Sequence, residues 1–283
     1  MITINNLTKG LTIEFDGHPF LLMTIDFSTS EATHYTSKGI GQHGEIITGS
    51  NLEPRDIPLV GYILNSASLE NDKRQLNNFF SPLDEIELIK NNKYKVSGKL
   101  TSTVKFGKGK EESKFSVTLF APQPFFSTVE EDKQSIAAWE PKFTFPFSMM
   151  SNDEIVFGSR IPKSIIEIIN EGDVECGLVC ELVAKGSVTN PKIYDMNTKK
   201  EMQLRYTMSE GERIVMNTNY GQKSITSIQG DDTKDLIGVF NFFTDWDFIQ
   251  LQPGLNSIGF TADSNSDRLE VYITHAPKFL GVE

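Results

Sequence analysis

Arg55-Asp-Ile-Pro-Leu-Val-Gly-Tyr-Ile63, Ser68-Leu-Glu-Asn-Asp-Lys-Arg-Gln-Leu-Asn-Asn-Phe-Phe80, Ser81-Pro-Leu-Asp-Glu-Ile-Glu-Leu-Ile89 and Lys93-Tyr-Lys-Val-Ser-Gly-Lys-Leu100 decide how this chain reads. Residues 57–64 alternate as a strand. A helix follows, predicted over about Leu69 to Phe80. Ser68 stands at its N-cap position, and Glu70 and Asp72 lie in its positive first turn. Leu69, Leu76, Phe79 and Phe80 make an apolar stripe that Lys73 interrupts. Ser81-Pro82 stops the helix, because a residue before proline avoids the α region. Residues 85–90 and 93–104 then read as strands joined by Asn91-Asn92. Nothing in this stretch carries catalytic chemistry.

Outward from it, short strands alternate with turn residues, the pattern of sandwiches and barrels. Leu11 to Phe15 and Phe20 to Phe27 read as strands joined through Asp16-Gly17. Residues 30–50 are polar and glycine-rich, with Gly39, Gly41, Gly44 and Gly49, and predict a long loop or extended hairpin. Gly107-Lys-Gly-Lys110 reads as a solvated hairpin tip, since the spacing of a phosphate loop is absent. Ala121-Pro-Gln-Pro-Phe-Phe126 reads as an extended connector, and the domain boundary is placed between about Phe126 and Lys142. Trp139 to Phe147 is expected to be an edge strand, because it carries Pro141 and Pro146. The second half is β throughout. Residues 164–169 are expected to pair with Cys176 to Ala184, and residues 257–262 to turn through Asp263–Asp267 into Leu269–Thr274. The fold class is therefore mainly β in two domains. Residues 1–130 form a β-sandwich with one helix, and residues 131–283 a second β-sandwich or jelly roll.

The 283 residues suffice for two real cores, and a formal net charge of -11 argues against specific nucleic-acid binding. Met1-Ile-Thr-Ile-Asn-Asn6 lacks a basic start with a following apolar run, so no signal peptide is read. No apolar run approaches the roughly 20 residues of a membrane helix. Cys176 and Cys180 on one strand would lie roughly 13 Å apart. That exceeds disulfide reach, so two buried free thiols are expected.

Enzymatic chemistry finds little to stand on. His18, His34, His43 and His275 adjoin no nucleophile motif and have no metal-site spacing. Asp263-x-Asn265-x-Asp267 copies the start of a calcium loop, but Arg268 stands where the glycine belongs and Thr274 where the closing glutamate belongs. A turn accounts for it better, and no cofactor or metal is expected. Asp245 and Asp247 flank Trp246, an arrangement open to stacking on a sugar ring. A tryptophan packed on the sandwich edge is the simpler reading.

Further segments carry a family likeness: Phe120-Ala-Pro-Gln-Pro-Phe-Phe126, Phe143-Thr-Phe-Pro-Phe147 with Ile155-Val-Phe-Gly158, Ile166-Glu-Ile-Ile-Asn-Glu-Gly-Asp-Val-Glu175, Thr189-Asn-Pro-Lys-Ile-Tyr-Asp195, Gly211-Glu-Arg-Ile-Val-Met-Asn-Thr218 and Phe248-Ile-Gln-Leu-Gln-Pro-Gly-Leu-Asn-Ser-Ile258. In this order, with the helix and Pro82, they resemble the siphovirus-type distal tail proteins along nearly the whole chain. The resemblance implies a hexameric ring hub of a phage or prophage tail tip. Its N-terminal domain would form the ring around a DNA channel, and its C-terminal domain would be galectin-like. Implied partners are other copies of the chain, singly or as stacked rings, the tail tube protein, tail-tip proteins, and a receptor-binding protein or fibre. It further implies a virion tail-tip location after assembly in the host cytoplasm. Gly39, Gly41, Gly44 and Arg55 become candidate subunit-interface residues. The alternative is a carbohydrate-binding adhesin using Asp245, Trp246 and Asp247.

Overall fold

The computed structural model describes residues 2–15, 18–27, 30–64, 67–109, 113–135, 137–141, 158–162, 165–242 and 247–282. The chain is mainly β and divides into two compact units. The first takes the residues up to Glu130 together with the stretch from Lys278, and the second runs from Glu131 to Pro277. The sequence reading gave everything after 130 to one domain. The last residues instead rejoin the first unit, because Lys278 and Phe279 complete a ladder with Ser127 and Phe126.

In the first unit the elements are β1 (Ile2–Asn6), β2 (Leu11–Glu14), β3 (Phe20–Ile25), β4 (Ala32–Ser37), β5 (Ile46–Leu52), β6 (Arg55–Ile63), α1 (Leu69–Phe79), β7 (Ile86–Lys90), β8 (Tyr94–Leu100), β9 (Lys105–Phe106), β10 (Lys114–Ala121) and β11 (Phe126–Thr128). One antiparallel sheet runs β2-β1-β7-β8-β10-β6-β3. Asn91 and Asn92 both adopt positive φ, 54° and 52°, which is why they make the tight turn from β7 to β8. Ile4, Ile57, Leu59, Leu88, Val96, Val117 and Leu119 come from both halves of this path and meet in one apolar core. Burying each such side chain contributes about 1.5–3 kcal/mol.

Leu76, Phe79 and Phe80 are buried, and Leu69 is half-buried against the same core. Lys73 does not break the stripe, because its ammonium lies 5.6 Å from the centroid of the Phe106 ring. Ser68 holds the cap position without a side-chain bond. Its carbonyl instead accepts from the Asp72 N–H at 3.2 Å. Two glycines are required by close approach. A Cβ on Gly98 would lie 2.1 Å from the Phe120 carbonyl oxygen, and one on Gly61 would lie 2.5 Å from both the Leu21 carbonyl oxygen and the Phe115 ring.

In the second unit follow β12 (Asp132–Ser135), β13 (Ala137–Pro141), β14 (Gly158–Pro162), β15 (Ile165–Asn170), β16 (Leu178–Ala184), β17 (Val188–Asp195), β18 (Glu201–Gln203), β19 (Thr207–Met208), β20 (Arg213–Asn217), β21 (Ser224–Gln229), β22 (Asp232–Asp235), β23 (Gly254–Ser264) and β24 (Leu269–His275), and β25 (Lys278–Phe279) closes the chain in the first unit. One sheet is ordered β12-β24-β16-β20-β21-β22, and the other β15-β23-β17-β18 with β19 beside β17. Both contribute to a single core, including Leu182, Val271 and Ile273 from the first and Ile168, Ile193 and Phe260 from the second. This is a β-sandwich.

One expected pairing is corrected: β15 pairs with β23, not with β16. The Asp263–Asp267 turn does lead from β23 into β24, but β23 pairs with β15 and β17, and β24 with β16 and β12. In both places the turn crosses from one sheet to the other. Asn170 secures the first crossing, its buried side-chain amide donating to the carbonyls of Val174 and Leu251, each at 3.0 Å. The expected edge strand from Trp139 is seen only as β13, paired with β14, and residues 142–147 lie outside the described residues.

Candidate assembly surface

Among the described residues, β4 and β5 pair only with each other. Their roots continue the β3–β6 ladder, since the Glu53 N–H donates to the Glu31 carbonyl at 2.8 Å. The pair is thus an arm drawn out of the β3–β6 hairpin. Every residue of β4 is exposed. Tyr35 is 52% exposed, Ile46 59%, Ile47 61%, and Ile40 at the tip is fully exposed. A two-stranded ribbon is marginal by itself in water. Short polar pairs hold this one: His34 Nδ1 lies 2.7 Å from Ser50 Oγ, and Asn51 donates to the Tyr35 hydroxyl at 3.4 Å.

Gly41 and Gly44 have φ of 80° and 81°, so they serve the shape of the arm's tip. Gly39 donates its N–H to the Gln42 side chain at 3.1 Å, and Gln42 returns its own N–H to the Gly39 carbonyl at 3.2 Å. The glycines shape a surface whose exposed apolar groups are Tyr35, Ile40, Ile46 and Ile47.

Arg55 does not belong to that surface. It is 2% exposed, the first of the inward positions of β6. Its guanidinium donates to the carbonyls of Phe27 and Leu280 and lies 4.8 Å from the Phe126 ring centroid. Burial lowers its pKa. Arg55, a candidate interface residue by resemblance, thus has both arms of its fork turned onto carbonyls of its own chain.

Of the proposed saccharide residues, Asp245 and Trp246 lie outside the described residues. Asp247 accepts from Lys223 at 2.8 Å and from Lys200 at 3.3 Å. The Lys223 bond, helped by Lys200 and the Phe248 N–H, holds its carboxyl below the usual range. A carboxylate so engaged is a poor general acid. In the Asp263 to Asp267 turn, Asp263 accepts from Asn190 and Asn265 donates to the Ser187 carbonyl, both at 2.8 Å. Those side chains tie the turn to the residues around β17. Cys176 stands just before β16, bridged to Leu251, while Cys180 lies within it, and both are buried free thiols. Among the described residues no group of three or more His, Cys, Asp or Glu side chains is arranged to hold a metal ion.

Two family models match the chain. Residues 5–121 match the phage tail protein RIFT-related domain, and residues 171–279 match the siphovirus-type tail component, C-terminal domain. The chain belongs to the siphovirus-type tail components. The fold of this tail component is similar to that of the Dit protein of phage SPP1, described as a paradigm of the hub adsorption apparatus in phages infecting Gram-positive hosts. The TM-score is 0.70 at 14% identity, over 99% of this chain and 100% of that one. Two structures of the phage p2 baseplate in its activated conformation are also similar over 99% of both chains. The calcium form has a TM-score of 0.56 at 11% identity, and the strontium form 0.54 at 12%. No curated protein matches. The tail component is thus a phage tail protein, and its place is the tail of the virion.

Sequence reading of this tail component missed the burial of Arg55 and the return of Lys278 to the first unit. The available signal for Arg55 was its register: it is in phase with Ile57, Leu59 and Ile63, which are all inward.

Proposed function

We propose that this tail component is the ring hub of a tail tip, a homo-hexamer or a stacked pair of hexamers joining the tail tube to tip and receptor-binding proteins. The arm of β4 and β5 carries the reading. It exposes large apolar groups and two strand edges that its own subunit leaves unpaired, and laying an edge on a neighbour's sheet satisfies those backbone groups by β-augmentation. Head-to-tail contacts of this kind close into a ring when the rotation per subunit fits. The work is structural rather than catalytic, with assembly in the host cytoplasm. The second unit is the part offered to tip proteins or fibres.

Charge refines the channel. The first unit carries 14 Lys and Arg against 16 Asp and Glu, and the second 13 against 22. The acidic excess sits in the second unit. A DNA passage lined by the first unit is close to neutral, which neither grips a phosphate backbone nor strongly repels it.

Native mass spectrometry of the full-length protein over a range of concentrations tests the reading. A hexamer or dodecamer is expected, and an Ile40→Ser, Ile46→Ser, Ile47→Ser variant should stay monomeric. A wild-type monomer at every concentration overturns self-assembly.

A further inference from the structure

Phe27, which follows β3 on the way to the arm, and the strap of residues 278–282 are far apart in the chain yet held by the same two cations. Arg55 gives one arm of its fork to the Phe27 carbonyl and the other to the Leu280 carbonyl. Lys90 places its ammonium 4.8 Å from the Phe27 ring centroid and donates to the Val282 carbonyl at 3.0 Å. The rings close the same node. Phe27 meets Phe126 edge-on at 5.7 Å, Phe126 is registered against Phe279, and Phe279 meets Tyr94 edge-on at 5.1 Å.

An apolar side chain would suffice if position 55 served only the core, as Ile57, Leu59 and Ile63 do. The guanidinium is buried on the strength of two carbonyls and a ring, and its Nε has no partner among the described residues. Withdrawing the strap would remove one of its two acceptors and leave a buried cation badly compensated. The node therefore favours two discrete arrangements, strap docked or strap released, over a graded series.

We infer that Arg55 and Lys90 form a clamp by which docking of the 278–282 strap fixes the root, and hence the aim, of the β4–β5 arm. The strap follows β24 and the second unit directly in the chain, so tension along Ala276-Pro277 is delivered to the carbonyls the clamp holds. Coupling of this kind is reciprocal: whatever loosens the strap loosens the arm root, and the reverse. The clamp lies within one subunit, so it stands or falls independently of ring formation.

Hydrogen exchange of the full-length protein, read by mass spectrometry, tests it. The Glu53 N–H reports the arm root, the 278–282 peptide reports the strap, and the Phe80 N–H, bonded to Leu76 at 2.7 Å, reports α1. Phe279→Ala is expected to speed exchange at Glu53 by about tenfold with Phe80 unchanged. Arg55→Lys keeps the charge but loses the fork, and should speed the strap peptide by a similar factor. Unchanged exchange at Glu53 in Phe279→Ala, while the strap itself exchanges faster, overturns the clamp. If Phe279→Ala opens α1 as well, Lys90→Gln decides in its place. Faster exchange at both Glu53 and the strap then supports coupling, and acceleration of only one overturns it.

Discussion

The Asn6 side-chain amide donates to the buried Asp84 carboxylate at 2.8 Å, and its Nδ2 also reaches the Phe79 carbonyl at 2.8 Å. Lys9 completes the knot, its backbone N–H donating to Asn6 Oδ1 at 2.9 Å and its ammonium lying 2.9 Å from Asp84. A residue of β1 thus closes the C-terminal end of α1, where unpaired carbonyls need donors. Asn6→Ala strips two acceptors at once and should destabilise the first unit by about 2–4 kcal/mol in urea unfolding. A loss below about 0.5 kcal/mol would show that water replaces the amide.

The same knot sets a pH dependence. The Asn6 bond, then Lys9, lowers the Asp84 pKa from its ordinary 3.8. A depressed carboxylate pKa adds stability that is complete above the unfolded value and fades as the pH falls through the folded one. Asp84→Asn should therefore flatten the acid limb of stability below about pH 4. An unchanged limb in melting curves between pH 2 and 5 would rule out this carboxylate as its source.

Glycines separate into two classes. Gly98→Ala drives a Cβ into the Phe120 backbone, which cannot yield as a flexible side chain can. It should cost about 3 kcal/mol or more, or prevent folding. Gly41→Ala meets nothing within 4 Å and strains only a φ of 80°. Its cost should be about 1 kcal/mol and confined to the arm. Equal thermal shifts for the two variants would refute the distinction.

Neither thiol is available. Cys176 and Cys180 are both fully buried, and burial, with a smaller push from Glu181, raises the Cys180 pKa far above its ordinary 9.0. Ellman's reagent at pH 8 should find no reactive thiol in the native protein and two in guanidinium. Reaction of either cysteine at a rate independent of denaturant would contradict the packing.

Removing the arm separates folding from assembly. Its side chains lie outside the core, so replacing residues 33–51 by a short Gly-Ser linker should move the melting of the first unit by less than about 1 kcal/mol. The same variant should form no ring in native mass spectrometry. A collapsed first unit would mean that the arm is part of the fold.

Periodicity is a local property, and the chain displays it clearly. The alternation from Leu269 to Thr274, the helix from Leu69, the Asn91-Asn92 turn and the proline after Phe80 were all legible because each depends on neighbours a few residues away. The glycines at 39, 41 and 44 pointed to a long loop or an extended hairpin, and the pairing of β4 with β5 makes it the hairpin. What alternation cannot carry is the identity of the strand across the ladder. Ile165–Asn170 and Leu178–Ala184 read as a hairpin but lie in opposite sheets, because their partners, β23 and β24, come some 90 residues later. Arg55 read as the head of a strand and a candidate interface residue, and only the fold brings Phe27, Phe126 and Leu280 around it from three distant places. The strands, the helix and the two-part organisation were therefore legible along the chain, while the arm was legible only as a long loop or an extended hairpin. Only the tertiary structure decided which sheet each strand joined, that the final strand returned to the first unit, and that a buried cation waited there for its carbonyls, since hydrogen bonds between remote segments leave no local periodic trace.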